Sequence, residues 1–118
     1  MTDRTLTVTR RAHPSGATVL TVTGELDHHT ASHLSHALTQ TPFGPDAPVV
    51  MDLSGLEYCD STGITVLVTA YQRAQQAEAP LLLAGLGPEL MRIIRIVGLD
   101  QLFTFRPTVE LAIAELRT

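Results

Sequence analysis

The chain opens with short-period alternation. In TLTVT (5–9) and ATVLTVT (17–23), Leu6, Val8, Leu20 and Val22 alternate with threonines. HPSG (13–16) supplies turn residues between them, so the pattern predicts a β-hairpin. The period then lengthens. From Asp27 to Thr41, Ala31, Leu34 and Leu38 share one helical face before TPFGPDAP (41–48) breaks the run. VVMDL (49–53) is nearly continuous in apolar character, as a strand covered on both faces should be. From Ser61 to about Glu78, a stripe of Ile64, Leu67, Val68, Tyr71, Ala74 and Ala77 opposes Arg73, Gln75, Gln76 and Glu78. Pro80 ends that helix, and LLLA (81–84) reads as another buried strand. GPELMRIIRIVG (87–98) follows as a short helix, with Pro88 near its start, Gly98 near its end, and Leu90, Ile93, Ile94 and Val97 expected inward. LFTF (102–105) is a last strand, and Val109, Ala112, Ile113 and Leu116 line a C-terminal helix. The order predicts one α/β domain spanning 1–118, a mixed β-sheet that opens with a hairpin and is packed with about four helices.

Composition narrows the function. At 118 residues with 44% hydrophobic and 17% charged content, the chain suits one compact domain. Its apolar runs are too short to span a membrane, and MTDRTLTV lacks the apolar core of a signal peptide, so a cytoplasmic protein is expected. Cys59 is the single cysteine, which excludes an internal disulfide and any multi-cysteine metal site. A net charge of −4 opposes direct binding to nucleic acid. All eight basic residues are arginine, so no Walker lysine, Schiff-base lysine or lysine base exists.

One stretch carries the candidate chemistry. EYCDSTGI (57–64) sets Asp60, Ser61, Thr62 and Gly63 at the boundary between a strand-like and a helix-like run. Ser61 is well placed to cap the helix, but Ile64 stands where a capping box needs Glu or Gln. Capping accounts for one hydroxyl only. A helix N-terminus also favours a phosphate on the serine.

VVMDLSGLEYCDSTGITVLVTA (49–70) closely resembles the phosphorylation segment of STAS-domain anti-sigma-factor antagonists, and TGELDHHTASHL (23–34) resembles the same family's loop between hairpin and first helix. The resemblance implies a partner switch without catalysis or cofactor. The unphosphorylated antagonist binds an anti-sigma factor that is also a serine kinase, releasing the sigma factor; phosphorylation ends the binding and a PPM-type serine phosphatase restores it. By the same resemblance, Ser61 is the phosphoacceptor, Asp60, Thr62 and Gly63 form its turn, and Gly24, Glu25 and Asp27 join Ser61 in the partner-binding surface. Thr62 and Ile64 stand where the common pattern has serine and leucine, which leaves open which hydroxyl accepts the phosphate. An alternative is a STAS scaffold subunit of a sensory, stressosome-like complex, or a small-ligand or nucleotide-binding module.

Other chemistries fit less well. A two-component receiver could use Asp52, but it needs a lysine and paired carboxylates after the first strand, where Arg10, Arg11, Ala12 and His13 stand. The serine does not lie in G-x-S-x-G. Gly85 and Gly87 make no complete phosphate loop. His28, His29, His33 and His36 approach chelating spacing on a helix, yet no carboxylate completes a site, and they read as a solvated face. Cys59 reads as a small buried hydrophobe.

Overall fold

A computed structural model describes residues 5–117; the first and last residues of the expected 1–118 domain lie outside that range. The opening hairpin pairs β1 (Leu6–Ala12) antiparallel with β2 (Thr18–Leu26), from Leu6 opposite Gly24 to Ala12 opposite Thr18. The further pairings between the described strands are parallel. The sheet runs β1, β2, β3 (Val49–Asp52), β5 (Leu81–Ala84), β6 (Thr104–Arg106). A short strand absent from the sequence reading, β4 (Leu56–Cys59), also pairs with β2. The nine-residue β2 thus serves two neighbours along one edge: Thr18 to Thr21 align with β3, and Gly24 to Leu26 with β4. A turn separates those neighbours, and Asp52 builds it: its carboxylate accepts the Ser54 N–H at 3.1 Å and the Ser54 hydroxyl at 2.7 Å.

Helices cover both faces. On one side α1 (Ala31–Thr39) and α2 (Ser61–Gln76) bury Leu34, Leu38, Val66 and Leu67 against Leu20, Val22, Met51 and Leu83. On the other, α4 (Val109–Leu116) lays Ala112 and Ile113 on Val19, Val50 and Leu82. The apolar runs of β3 and β5 are explained by this arrangement, since successive side chains enter opposite cores. Among the described residues, no helix is long and apolar enough to cross a membrane.

Several local expectations are corrected. α1 starts at Ala31 rather than Asp27, because residues 27–30 form a turn of their own. The buried face of α2 is centred on Gly63, Val66, Leu67, Ala70 and Ala74, while Ile64, Val68, Tyr71 and Ala77 lie at its half-buried margin. Small residues let this helix approach the sheet closely, which rotates the stripe away from the larger side chains. In α3 (Pro88–Ile96) only Ile94 is buried, and Ile93 and Val97, expected inward, are exposed.

Candidate functional site

The ends of β2 and β4 lie side by side, Leu26 aligned with Cys59, so the segments that leave them emerge together. The Asp60 N–H donates to the Leu26 carbonyl at 3.1 Å, which prolongs the pairing one residue past the strand. With Asp60 held extended (φ −95°, ψ −173°), its side chain turns back over the start of α2 and accepts the Gly63 N–H at 2.9 Å. Asp60, and not Ser61, is therefore the N-cap. Both residue types cap well, and the strand pairing of Asp60 decides between them by fixing where extended backbone ends.

The second Asp60 oxygen reaches the neighbouring loop. It accepts the His28 backbone N–H at 3.2 Å and lies 3.7 Å from His28 Nδ1, within ion-pair range whenever that imidazole is protonated. The Gly63 N–H foremost, with His28 behind it, holds the Asp60 carboxyl below its ordinary value against the opposing effect of partial burial. The His28 ring packs against that of His29, centroids 3.9 Å apart and planes tilted by 40°.

Ser61 is left exposed as the first residue of α2, with Thr62, also exposed, beside it. Thr65 donates its hydroxyl to the Ser61 carbonyl at 3.0 Å and is engaged within the helix. Gly63 is buried under the turn. A Cβ there would stand 2.7 Å from Leu26 Cγ and 2.8 Å from both Cys59 Sγ and the Leu26 carbonyl oxygen, so only glycine lets α2 start this close to the strand ends. Gly24 has φ +108°, and its Cβ would fall 2.4 Å from the Thr5 carbonyl oxygen; it permits the irregular register at Gly24/Glu25 where β2 passes from β3 to β4.

The loop expected to share this surface has a more internal role than its sequence suggests. Asp27 is only 2% exposed: one carboxylate oxygen accepts the His29 and Thr30 N–H groups at 2.9 and 3.1 Å, and Thr30 in turn donates its hydroxyl to the Glu25 carbonyl at 2.7 Å. A side chain so buried shapes the loop from within. Glu25 is half-buried and aligned with Tyr58, an aromatic whose exposure on β4 no periodicity in so short a strand announces. Cys59 points inward; burial first, then the Asp60 carboxylate, pushes its thiol up to about 12.

The histidines are dispersed by the same turn. His28 and His29 precede α1, so the helical spacing assumed for His29 and His33 does not apply. Among the described residues, no three His, Cys, Asp or Glu side chains gather as a metal site requires. Asp52, the residue a receiver would phosphorylate, is occupied with the Ser54 turn.

The STAS domain profile matches residues 9–112, most of the chain. The chain belongs to the STAS domain family. Among relatives of this STAS domain, the anti-sigma-B factor antagonist of Listeria monocytogenes is 33% identical over 85 residues, covering 72% of this chain and 75% of its own. The anti-sigma-F factor antagonist RsfB of Mycobacterium tuberculosis is 30% identical over 112 residues, 95% of this chain and 90% of its own. The crystal structure of an anti-sigma factor antagonist from Mycobacterium paratuberculosis superimposes with a TM-score of 0.80 at 28% identity, over 97% of this STAS domain and 96% of that chain.

Proposed function

We propose that this STAS domain is a cytoplasmic anti-sigma-factor antagonist whose unphosphorylated form binds an anti-sigma factor serine kinase and frees the sigma factor. Phosphorylation of Ser61 ends the binding, and a PPM-type serine phosphatase reverses it. The observation that carries the reading is the division of labour between Asp60 and Ser61. Asp60 does the capping through Gly63, so the exposed Ser61 hydroxyl is not needed by the fold and is open to modification. The names of the Listeria and Mycobacterium relatives point the same way. The chain acts as ligand and substrate and not as an enzyme.

The placement also supports a mechanism. A phosphate adds about −1.5 to −2 charges at neutral pH, and at a helix N-terminus the dipole and first-turn N–H groups favour it, so the fold should persist. The surroundings are already acidic, with Glu57 exposed and Asp60 and Glu25 half-buried nearby in the chain or sheet. A partner packed over Ser61 would meet added bulk and like charge, and charge mismatch at an interface costs several kcal/mol.

The test uses each anti-sigma factor kinase of the source organism, purified singly, with ATP and this protein. Phosphopeptide mapping should place the label on Ser61 and lose it in Ser61→Ala. Calorimetry should show tight binding of wild type and strongly weakened binding of Ser61→Asp, whose melting stays within a few degrees of wild type. Label on Thr62 or Thr65 would overturn the acceptor assignment, and absence of any kinase partner would overturn the antagonist reading.

A further inference from the structure

The imidazole of His28 is held beside the Ser61 turn without being built into the core. Its backbone N–H reaches one Asp60 carboxylate oxygen at 3.2 Å, and its ring nitrogen Nδ1 lies 3.7 Å from the same oxygen. The backbone contact already joins the loop to the turn. The side chain is 66% exposed, and the neighbouring His29 ring, centroids 3.9 Å away, limits where it can swing. A titratable ring is thereby kept in contact with the residue that precedes Ser61.

A phosphoryl group on Ser61 would meet a turn whose donors are largely taken and whose charge is of its own sign. The Asp60 side chain accepts the Gly63 N–H, the Asp60 carbonyl accepts the Ile64 N–H, and the Thr62 N–H helps to keep the Asp60 carboxyl ionised. Asp60 itself repels a phosphate. Glu57 and Tyr58 on β4 and Glu25 on β2 stand at the adjoining strand ends, and Asp27 is turned inward to the His29 and Thr30 N–H groups. Positions 24–72 contain no arginine and the chain no lysine, so along both loops and most of α2 the histidines alone can carry positive charge. Across the apolar cleft beside Cys59 and Ile64, α3 carries Glu89, Arg92 and Arg95, all exposed. It is the His28 ring that already lies against the Asp60 carboxylate.

The geometry points to His28 as the counter-ion of phosphorylated Ser61: its protonated imidazole pairs with the phosphoryl oxygens while its backbone N–H keeps Asp60 in place. This rests on the antagonist reading and adds how the switched-off form is held. An ion pair as exposed as that of His28 with Asp60 is weak, and a phosphate of up to two charges competes for the ring more strongly than one carboxylate. The protonated imidazole also has an N–H on each nitrogen, so it can meet both acids at once. The pairing stabilises the phosphorylated chain, because a phosphate beside the ring raises the pH at which the ring loses its proton. The sign follows from linkage: the stabilisation is fully present below the ring's unfolded-state value and is lost as pH rises through the raised one. The bulk over Ser61 remains, while the repulsion between phosphate and Asp60 is offset.

The test uses the full chain with phosphoserine placed at position 61 during translation, so that no kinase is needed, beside the unmodified chain. Ring resonances followed by NMR across pH should show the His28 midpoint rising by about one unit on phosphorylation, with that of His36, on the exposed face of α1, shifting by less than about 0.2. Phosphorus NMR reads the other partner. In His28→Gln, which keeps the backbone N–H, the second ionisation of the phosphate should move up by about half a unit, and His28→Arg should restore it. The phosphorylated His28→Gln chain should melt below phosphorylated wild type at about pH 6 and equally at about pH 9, where the imidazole is neutral. A His28 needed only for folding would instead lower the melting of both forms at either pH and leave the phosphate unmoved. A His28 midpoint that shifts no more than that of His36, or a phosphate that ionises alike in wild type and His28→Gln, overturns the pairing; with Ser61 labelled by a kinase, either result leaves the antagonist reading standing. If no anti-sigma factor kinase modifies Ser61, the antagonist reading falls and takes the role of His28 with it, whatever the titrations show.

Discussion

Asp60 ties two loops together: one carboxylate oxygen holds the His28 backbone N–H at 3.2 Å while the other caps α2 through the Gly63 N–H at 2.9 Å. The residue before Ser61 therefore fixes both the helix start and the loop beside it. Substitutions on either side of that peptide bond should behave very differently.

Asp60→Ala should lower stability by about 1 kcal/mol through loss of the cap, with Asp60→Asn retaining most of it. For a domain of this size that corresponds to a fall in melting temperature of about 3–6 °C. Ser61→Ala, outside the cap, should change stability by less than about 0.5 kcal/mol. Urea titrations of the three variants check the order; a larger cost at Ser61 than at Asp60 would refute the capping assignment.

Acidification should expose the Asp60 contribution. Its folded-state pKa lies below the ordinary 3.8, so the stabilisation is fully present above the unfolded-state value and is lost as pH falls through the folded one. The stability advantage of wild type over Asp60→Asn should accordingly be constant from neutral pH to about pH 5 and shrink towards pH 3. Paired urea midpoints across that range measure it, and an advantage that grew on acidification would contradict the sign.

Gly63→Ala places a methyl 2.7–2.8 Å from Leu26 and Cys59, neither of which can retreat without moving a strand end. The expected cost is about 1–3 kcal/mol, with amide shifts spreading from α2 into residues 26–28 in NMR spectra. A variant as stable as wild type with unshifted His28 would show that the turn has slack.

Cys59, with its thiol pushed up to about 12, should resist Ellman's reagent at pH 8 in the folded protein and react fully in denaturant. Rapid labelling of the native state would mean that the Leu26–Cys59 end of the sheet opens readily.

The sequence by itself determined the order and type of most elements, because period-two and period-3.6 patterns report which faces are buried whatever the detailed packing. It determined the absence of lysine and of paired cysteines, and through Asp60, Ser61, Thr62 and Gly63 it displayed the family's motif. Only the tertiary structure decided which of two good capping residues caps, since that depends on the Asp60 N–H being held by Leu26, 34 positions earlier in the chain. It alone paired Leu56–Cys59 with the far end of β2, a strand too short to show a period. It turned Asp27 inward and left Ile93, Ile96 and Val97 outward, against charge and hydropathy alike. Burial is settled by what packs against a residue. A local pattern states a preference for cover, and the arrangement of distant elements decides whether cover is supplied.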